Sequence, residues 1–123
     1  MKLEIGMYVR TKNGCICQIL RTTYSKYLSR NKELCYEVDR PINVNMELYD
    51  EDIFKASHNI TDLIEVGDYI RITTSAFYEP VYYSYGKLVI RDDIDISKYT
   101  NKFIAEVITH EQIKSMSYKV ERG

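Results

Sequence analysis

The sequence predicts a mainly β protein with one short α-helix, organised as two tandem repeats, and three observations carry that expectation. A motif recurs, strand-like alternations sit between turn residues, and one stretch near the C-terminus has a helix-start signature. The motif is Leu3-Glu-Ile-Gly-Met-Tyr-Val-Arg-Thr11, echoed sixty-one residues later by Ile64-Glu-Val-Gly-Asp-Tyr-Ile-Arg-Ile72. Four positions are identical, Glu4/Glu65, Gly6/Gly67, Tyr8/Tyr69 and Arg10/Arg71, and three more exchange one aliphatic residue for another. A second echo is Leu34-Cys-Tyr-Glu-Val38 against Phe103-Ile-Ala-Glu-Val107.

Each motif reads as an apolar residue, a glycine permitting a tight turn, then the alternation of a half-buried strand. Small SH3-like barrels often begin this way. The expected architecture is therefore two tandem small SH3-like β-barrel repeats, 1–58 and 64–123, joined by 59–63. About 60 residues are marginal as an independent fold, so the two repeats are expected to pack as one unit.

Taken in order, Lys12-Asn13-Gly14 is a turn signal that makes 5–11 and 15–21 a hairpin, and 33–39 and 53–56 supply two further strands. In the join, Thr61 or Asp62 is placed to cap a single helical turn. The second repeat is expected to carry strands near 66–73, 86–91, 102–108 and 117–121, with 75–85 forming or extending a hairpin. Thr109-His-Glu-Gln112 fits a capping box, in which Thr109 caps the first turn and Gln112 reaches back to its backbone N–H. That places the helix at about 110–116.

Twelve of the fifteen aromatic residues are tyrosine and none is tryptophan. Tyrosine couples an apolar ring to a polar tip, so a chain this rich in it is expected to use some at a surface. No segment approaches the roughly 18 apolar residues of a membrane span, and the charged start leads into a strand-like run instead of a secretory core. The expected location is cytoplasmic. Three cysteines, Cys15, Cys17 and Cys35, are an odd number, which fits free structural thiols in a reducing compartment.

The sequence carries little that resembles catalytic chemistry. It has no glycine-rich phosphate loop, nucleophile motif or H-E-x-x-H helix. Cys15 and Cys17 share a strand face, but neither they nor the two histidines, His58 and His110, have further ligands at metal-site spacing. His110 reads as a first-turn helix residue with an exposed ring. A non-enzymatic protein without cofactor or metal is expected.

Binding signals are stronger, because charge is unevenly distributed along the chain. Residues 5–32 hold six basic residues and no acid, whereas 33–68 hold ten acids against Arg40 and Lys55. The basic loop interleaves Arg21, Tyr24, Lys26, Tyr27, Arg30 and Lys32, a pairing of cations for phosphates with rings for bases that suits single-stranded nucleic acid. The densest acidic run is Asp50, Glu51 and Asp52. A third feature is the aromatic stretch Phe77, Tyr78, Tyr82, Tyr83 and Tyr85, set among Ser and Gly like an antibody paratope and expected to touch a protein partner. Strand alternation would put Tyr83 and Tyr85 on one face and Tyr82 on the other.

The segment Ala56-Ser-His-Asn-Ile-Thr-Asp-Leu-Ile-Glu-Val-Gly-Asp-Tyr69, with Ile108-Thr-His-Glu-Gln112 and Tyr118-Lys-Val120, resembles small phage and prophage proteins of Gram-positive bacteria. The resemblance supplies no catalytic residues. It implies a stoichiometric inhibitor of a bacterial defence protein or its nucleoprotein complex, of the anti-CRISPR kind, with Asp50, Glu51 and Asp52 presenting carboxylates to a basic channel. The alternative expectation is an SH3-like nucleic-acid-binding module using the basic loop.

Overall fold

The computed structural model describes residues 3–40 and 46–116, which divide into two compact units at Leu63/Ile64. Both are mainly β. The single α-helix among the described residues, α1 (His110–Met116), lies in the second unit, and short 3-10 turns lie in both.

In the first unit β1 (Tyr8–Thr11), β2 (Ile16–Tyr24), β3 (Leu34–Val38), β4 (Glu47–Leu48) and β5 (Ile53–Ser57) form one antiparallel sheet in the order β4-β3-β2-β1-β5. Consecutive strands are neighbours until β5 returns to β1. The β1–β2 turn forms where Lys12-Asn13-Gly14 predicts it. Gly14 takes φ of 90° there, and the backbone N–H of Cys15 donates to Thr11 Oγ1 at 2.9 Å. One face buries Val9, Cys17, Ile19, Val38, Leu48 and Ile53. Arg10 is also buried, at 1% exposure, and its guanidinium donates to the carbonyl of Leu63 at 2.8 Å. A buried cation needs such an acceptor to offset lost hydration.

In the second unit β6 (Tyr69–Ile72), β7 (Glu79–Pro80) and β11 (Ile104–Ile108) form one antiparallel sheet. β8 (Tyr82–Ser84), β9 (Lys87–Ile90) and β10 (Ile94–Asp95) form another. Val81 bridges β7 and β8: its N–H donates to Asp68 and its carbonyl accepts from Gly67. The two short strands therefore run as one interrupted strand.

The same register recurs in the two units. Gly6 N–H donates to Ile19 O at 2.8 Å and Ile19 N–H to Met7 O at 2.9 Å. In the second unit Gly67 donates to Val81 at 3.1 Å and Val81 to Asp68 at 2.9 Å. Both glycines hold φ near 92°, a conformation costly for any residue with a Cβ. The β1–β5 ladder skips Phe54 and the β6–β11 ladder skips Ala105, which places a bulge at the same point. In both units a 3-10 turn, Asp50–Asp52 or Asn101–Phe103, immediately precedes the last described strand.

Several expectations are corrected. The sheets do not close into a barrel among the described residues. Strand starts predicted at residues 5 and 66 fall later, at Tyr8 and Tyr69, because the glycine turn occupies the intervening residues. β2 runs on to Tyr24, and β4 was not predicted. The echo of 34–38 in 103–107 does not join equivalent strands, since β3 pairs with β2 and β4 whereas β11 pairs with β6. Asp62 lies inside the 3-10 turn Ile60–Leu63, where its carboxylate accepts from Ser57 Oγ at 2.6 Å, instead of capping it. The strand expected at 117–121 lies outside the described residues. The capping box is present as read: Gln112 N–H donates to Thr109 Oγ1 at 3.2 Å and Thr109 N–H to Gln112 Oε1 at 3.0 Å.

Candidate functional site

The basic loop is held from below by one buried acid. Glu47 is 2% exposed and accepts the Lys26 backbone N–H at 2.6 Å, with Ser25 Oγ and the Tyr49 hydroxyl each at 3.3 Å. Cys35 Sγ lies 3.7 Å from the same carboxyl group, and burial together with Glu47 pushes its thiol up to about 11. This anchoring turns 25–33 into an ordered excursion with a 3-10 turn at Leu28–Arg30. Asn31 and Lys32 follow in left-handed conformations.

The loop's arginines are not displayed as free cations. Arg21 makes a bidentate contact with Glu37 directly across the β2–β3 ladder, at 2.8 and 2.9 Å, which holds Glu37 below the usual carboxylate range. Arg30 lies 3.9 Å above the ring of Tyr49 and ion-pairs with Glu51 at 2.6 Å and Glu33 at 3.3 Å. Tyr24 is exposed opposite the exposed Leu34, and Leu28 at the loop tip is 99% exposed. The residues predicted to bind nucleic acid thus divide: Tyr24, Lys26 and Lys32 face solvent, whereas Arg21 and Arg30 are paired with acids of their own unit.

Tyr27 and Arg30 meet Thr11, Lys12 and Asn13 of the β1–β2 turn, with Tyr49 and Asp52 beyond, around a cleft of about 540 Å³. Lys12 and Tyr49 were not foreseen as site residues. Their sequence positions, in a turn and beside an acidic run, gave no reason to place them beside Tyr27. The acidic run is the 3-10 turn itself. Burial, and then a hydrogen bond with Asp50, raise the Tyr36 hydroxyl pKa, Glu51 holds Arg30, and Asp52 accepts the Tyr49 N–H at 3.3 Å. Glu51 alone ties the run to the basic loop, and Asp50 and Glu51 remain exposed.

The aromatic stretch separates into anchored and displayed members. The Tyr78 hydroxyl donates to Glu106 at 2.7 Å and the Tyr82 hydroxyl to Asp93 at 3.1 Å. Tyr83 is 67% and Phe77 75% exposed. Tyr85 is not in a strand: it and Gly86 form the two-residue turn of the β8–β9 hairpin, both with positive φ, leaving Tyr85 97% exposed. The predicted shared strand face for Tyr83 and Tyr85 is thereby replaced by a turn tip. Tyr85, Lys87, Asp93 and Asp95 border a shallow depression of about 380 Å³.

All three cysteines are free. Cys17 and Cys35 are buried, while half-buried Cys15 is drawn down to about 7 by a hydrogen bond with Cys17, whose own thiol is pushed up by the same bond and by burial.

Both histidines stand beside the glutamate of the repeated motif. His58 Nε2 is 3.3 Å from Glu4 Oε2, and His110 Nε2 is 2.9 Å from Glu65 Oε1. His110 also lies 2.8 Å from Glu111, so its half-exposed ring is doubly engaged rather than simply solvated. No helix among the described residues is long and apolar enough to cross a membrane. No family model matches the chain, and no curated protein or solved structure is significantly similar to it.

Proposed function

We propose that this chain is a non-catalytic, protein-binding inhibitor built from two SH3-like units, encoded by a phage and acting on a bacterial defence complex in the host cytoplasm, with an anti-CRISPR role against an effector nuclease as its specific form. The SH3-like reading is supported by the meander whose fifth strand returns to the first and by the 3-10 turn before that strand, a pattern repeated in the second unit. The defence target rests on the resemblance of 56–69 and 108–112 to phage proteins. The binding mode rests on one observation: Tyr83, in β8, and Tyr85, in the two-residue turn that follows it, are displayed on one hairpin, large apolar area presented on a hydrogen-bonded backbone.

The test is a tagged pull-down from a bacterium with active defence systems, with and without nuclease treatment, using wild type and the double variant Tyr83→Ala, Tyr85→Ala. A defence protein retained after nuclease and lost with the double variant is the expected result. Unchanged capture by a folded double variant overturns the tyrosine surface.

A second reading, a nucleic-acid-binding module, is favoured by Lys12, Tyr27, Arg30 and Tyr49 converging on one cleft. It requires the Arg30–Glu51 pair to open. Its signature is affinity that falls steeply with added salt, and loss of every partner on nuclease treatment.

A further inference from the structure

We propose that Glu65, His110 and Glu111 bind a divalent transition-metal ion, with Zn²⁺ as the probe. His110 Nε2 lies 2.9 Å from Glu65 Oε1 and 2.8 Å from Glu111 Oε1, and one ligand atom from each residue falls within 4.8 Å of the others. A ring nitrogen carries one proton at most, and one N–H cannot point straight at two carboxylates. A cation at the shared focus meets all three lone pairs at once. Zinc–ligand bonds of about 2.0–2.2 Å set neighbouring ligand atoms about 3.0–3.5 Å apart, so the observed spacings need only small side-chain movements.

The backbone beneath the three groups is already fixed. Asp68, fully buried, accepts the Glu65 N–H at 2.8 Å and the His110 N–H at 2.9 Å, so one carboxyl group sets the positions of two ligands forty-five residues apart. The Thr109–Gln112 capping box fixes the start of the helix that carries His110 and Glu111. Supporting contacts of this kind orient ligands and raise metal affinity. One imidazole with two carboxylates suits Zn²⁺, Co²⁺ or Ni²⁺ and disfavours Mg²⁺, which takes oxygen ligands. Three protein ligands leave a position for water.

The first unit holds a natural control. Glu4 and His58 repeat the pair, but Asn59 follows the histidine where Glu111 follows His110. The Glu4 N–H donates to Met7 Sδ at 3.2 Å where that of Glu65 donates to Asp68.

Calorimetric titration of the full chain with Zn²⁺, and separately with Mg²⁺, tests the site, using wild type, Glu111→Gln, His110→Gln and His58→Gln. Glu111 is at the surface of α1, so its variant keeps the proposal testable if His110→Gln fails to fold. Expected are one Zn²⁺ per chain, affinity weaker by at least about a hundredfold in Glu111→Gln and His110→Gln, since losing a ligand costs more than the tenfold to hundredfold typical of an outer-shell partner, no change in His58→Gln, and no response to Mg²⁺. Co²⁺ substitution separates this site from the Cys15–Cys17 pair, since thiolate ligation adds an intense near-ultraviolet charge-transfer band that Glu65, His110 and Glu111 would not give. Absence of Zn²⁺ binding, binding unaffected by Glu111→Gln, or a thiolate band overturns the proposal.

Discussion

The buried carboxyl group of Asp68 accepts the backbone N–H of His110 at 2.9 Å, joining the glycine turn that opens the second unit to the first residue of α1. The same group takes the N–H of Glu65. Asp68→Ala removes both acceptors and leaves two donors without them. The expected loss is about 2–4 kcal/mol, read by urea denaturation, with Asp68→Asn retaining part of it because the amide oxygen still accepts. Faster hydrogen exchange at Glu65 and His110 should accompany the loss. A change within experimental error would mean that water replaces the carboxyl group at no cost.

Gly6 and Gly67 hold the same positive φ in corresponding turns. An added Cβ at Gly6 meets nothing within 4 Å, and one at Gly67 meets only His110, at ordinary contact distance. Gly6→Ala and Gly67→Ala therefore isolate backbone strain. Each is expected to cost about 1–2 kcal/mol, measured by thermal or urea unfolding. A much larger loss in either would show that the turn itself had rearranged.

Glu47→Ala takes the floor from under the basic loop. With Lys26 N–H, Ser25, Tyr49 and Cys35 all losing a common partner, the expected destabilisation is about 2–4 kcal/mol, and residues 25–33 should become the preferred site of limited proteolysis. A cleavage pattern identical to wild type would show that other contacts order the loop.

Cys15 should be the first thiol to react. Its pKa of about 7 lies below the ordinary thiol value, so thiolate accumulates as pH rises through 7. Alkylation should accelerate through that range and level off above it. Cys35, buried and at about 11, should stay protected until the chain unfolds. Mass spectrometry after brief iodoacetamide treatment checks both statements. Removing the hydrogen-bond donor with Cys17→Ala should shift the Cys15 profile towards higher pH.

Local features were legible because their causes are local. The turn at Lys12-Asn13-Gly14, the unusual backbone at Gly6 and Gly67, and the reciprocal bonds of Thr109 and Gln112 each depend on residues within a few positions of one another. The aromatic stretch was legible only as composition. Its division into anchored Tyr78 and Tyr82 and displayed Tyr83 and Tyr85 depends on Glu106, Asp93 and the hairpin register, none of which the stretch contains.

The charge pattern was legible along the chain, and its pairing in space was not, for the same reason. A basic segment followed by an acidic one reads as two surfaces, but folding β3 against β2 sets Glu37 across from Arg21, and the 3-10 turn brings Glu51 to Arg30.

By itself the sequence determined that the chain is mainly β, where its glycine turns and its one helix begin, and which motif recurs, since these follow from side-chain alternation, backbone sterics and short-range hydrogen bonds. Tertiary structure alone decided that Arg10, Glu47 and Asp68 are buried, that β5 and β11 are the strands that return to β1 and β6, and that Glu65 reaches His110. Those outcomes are contacts between distant residues, and the physical reason lies in strand register: side-chain period limits which face a residue occupies, while only the pairing of strands selects the neighbour it meets there.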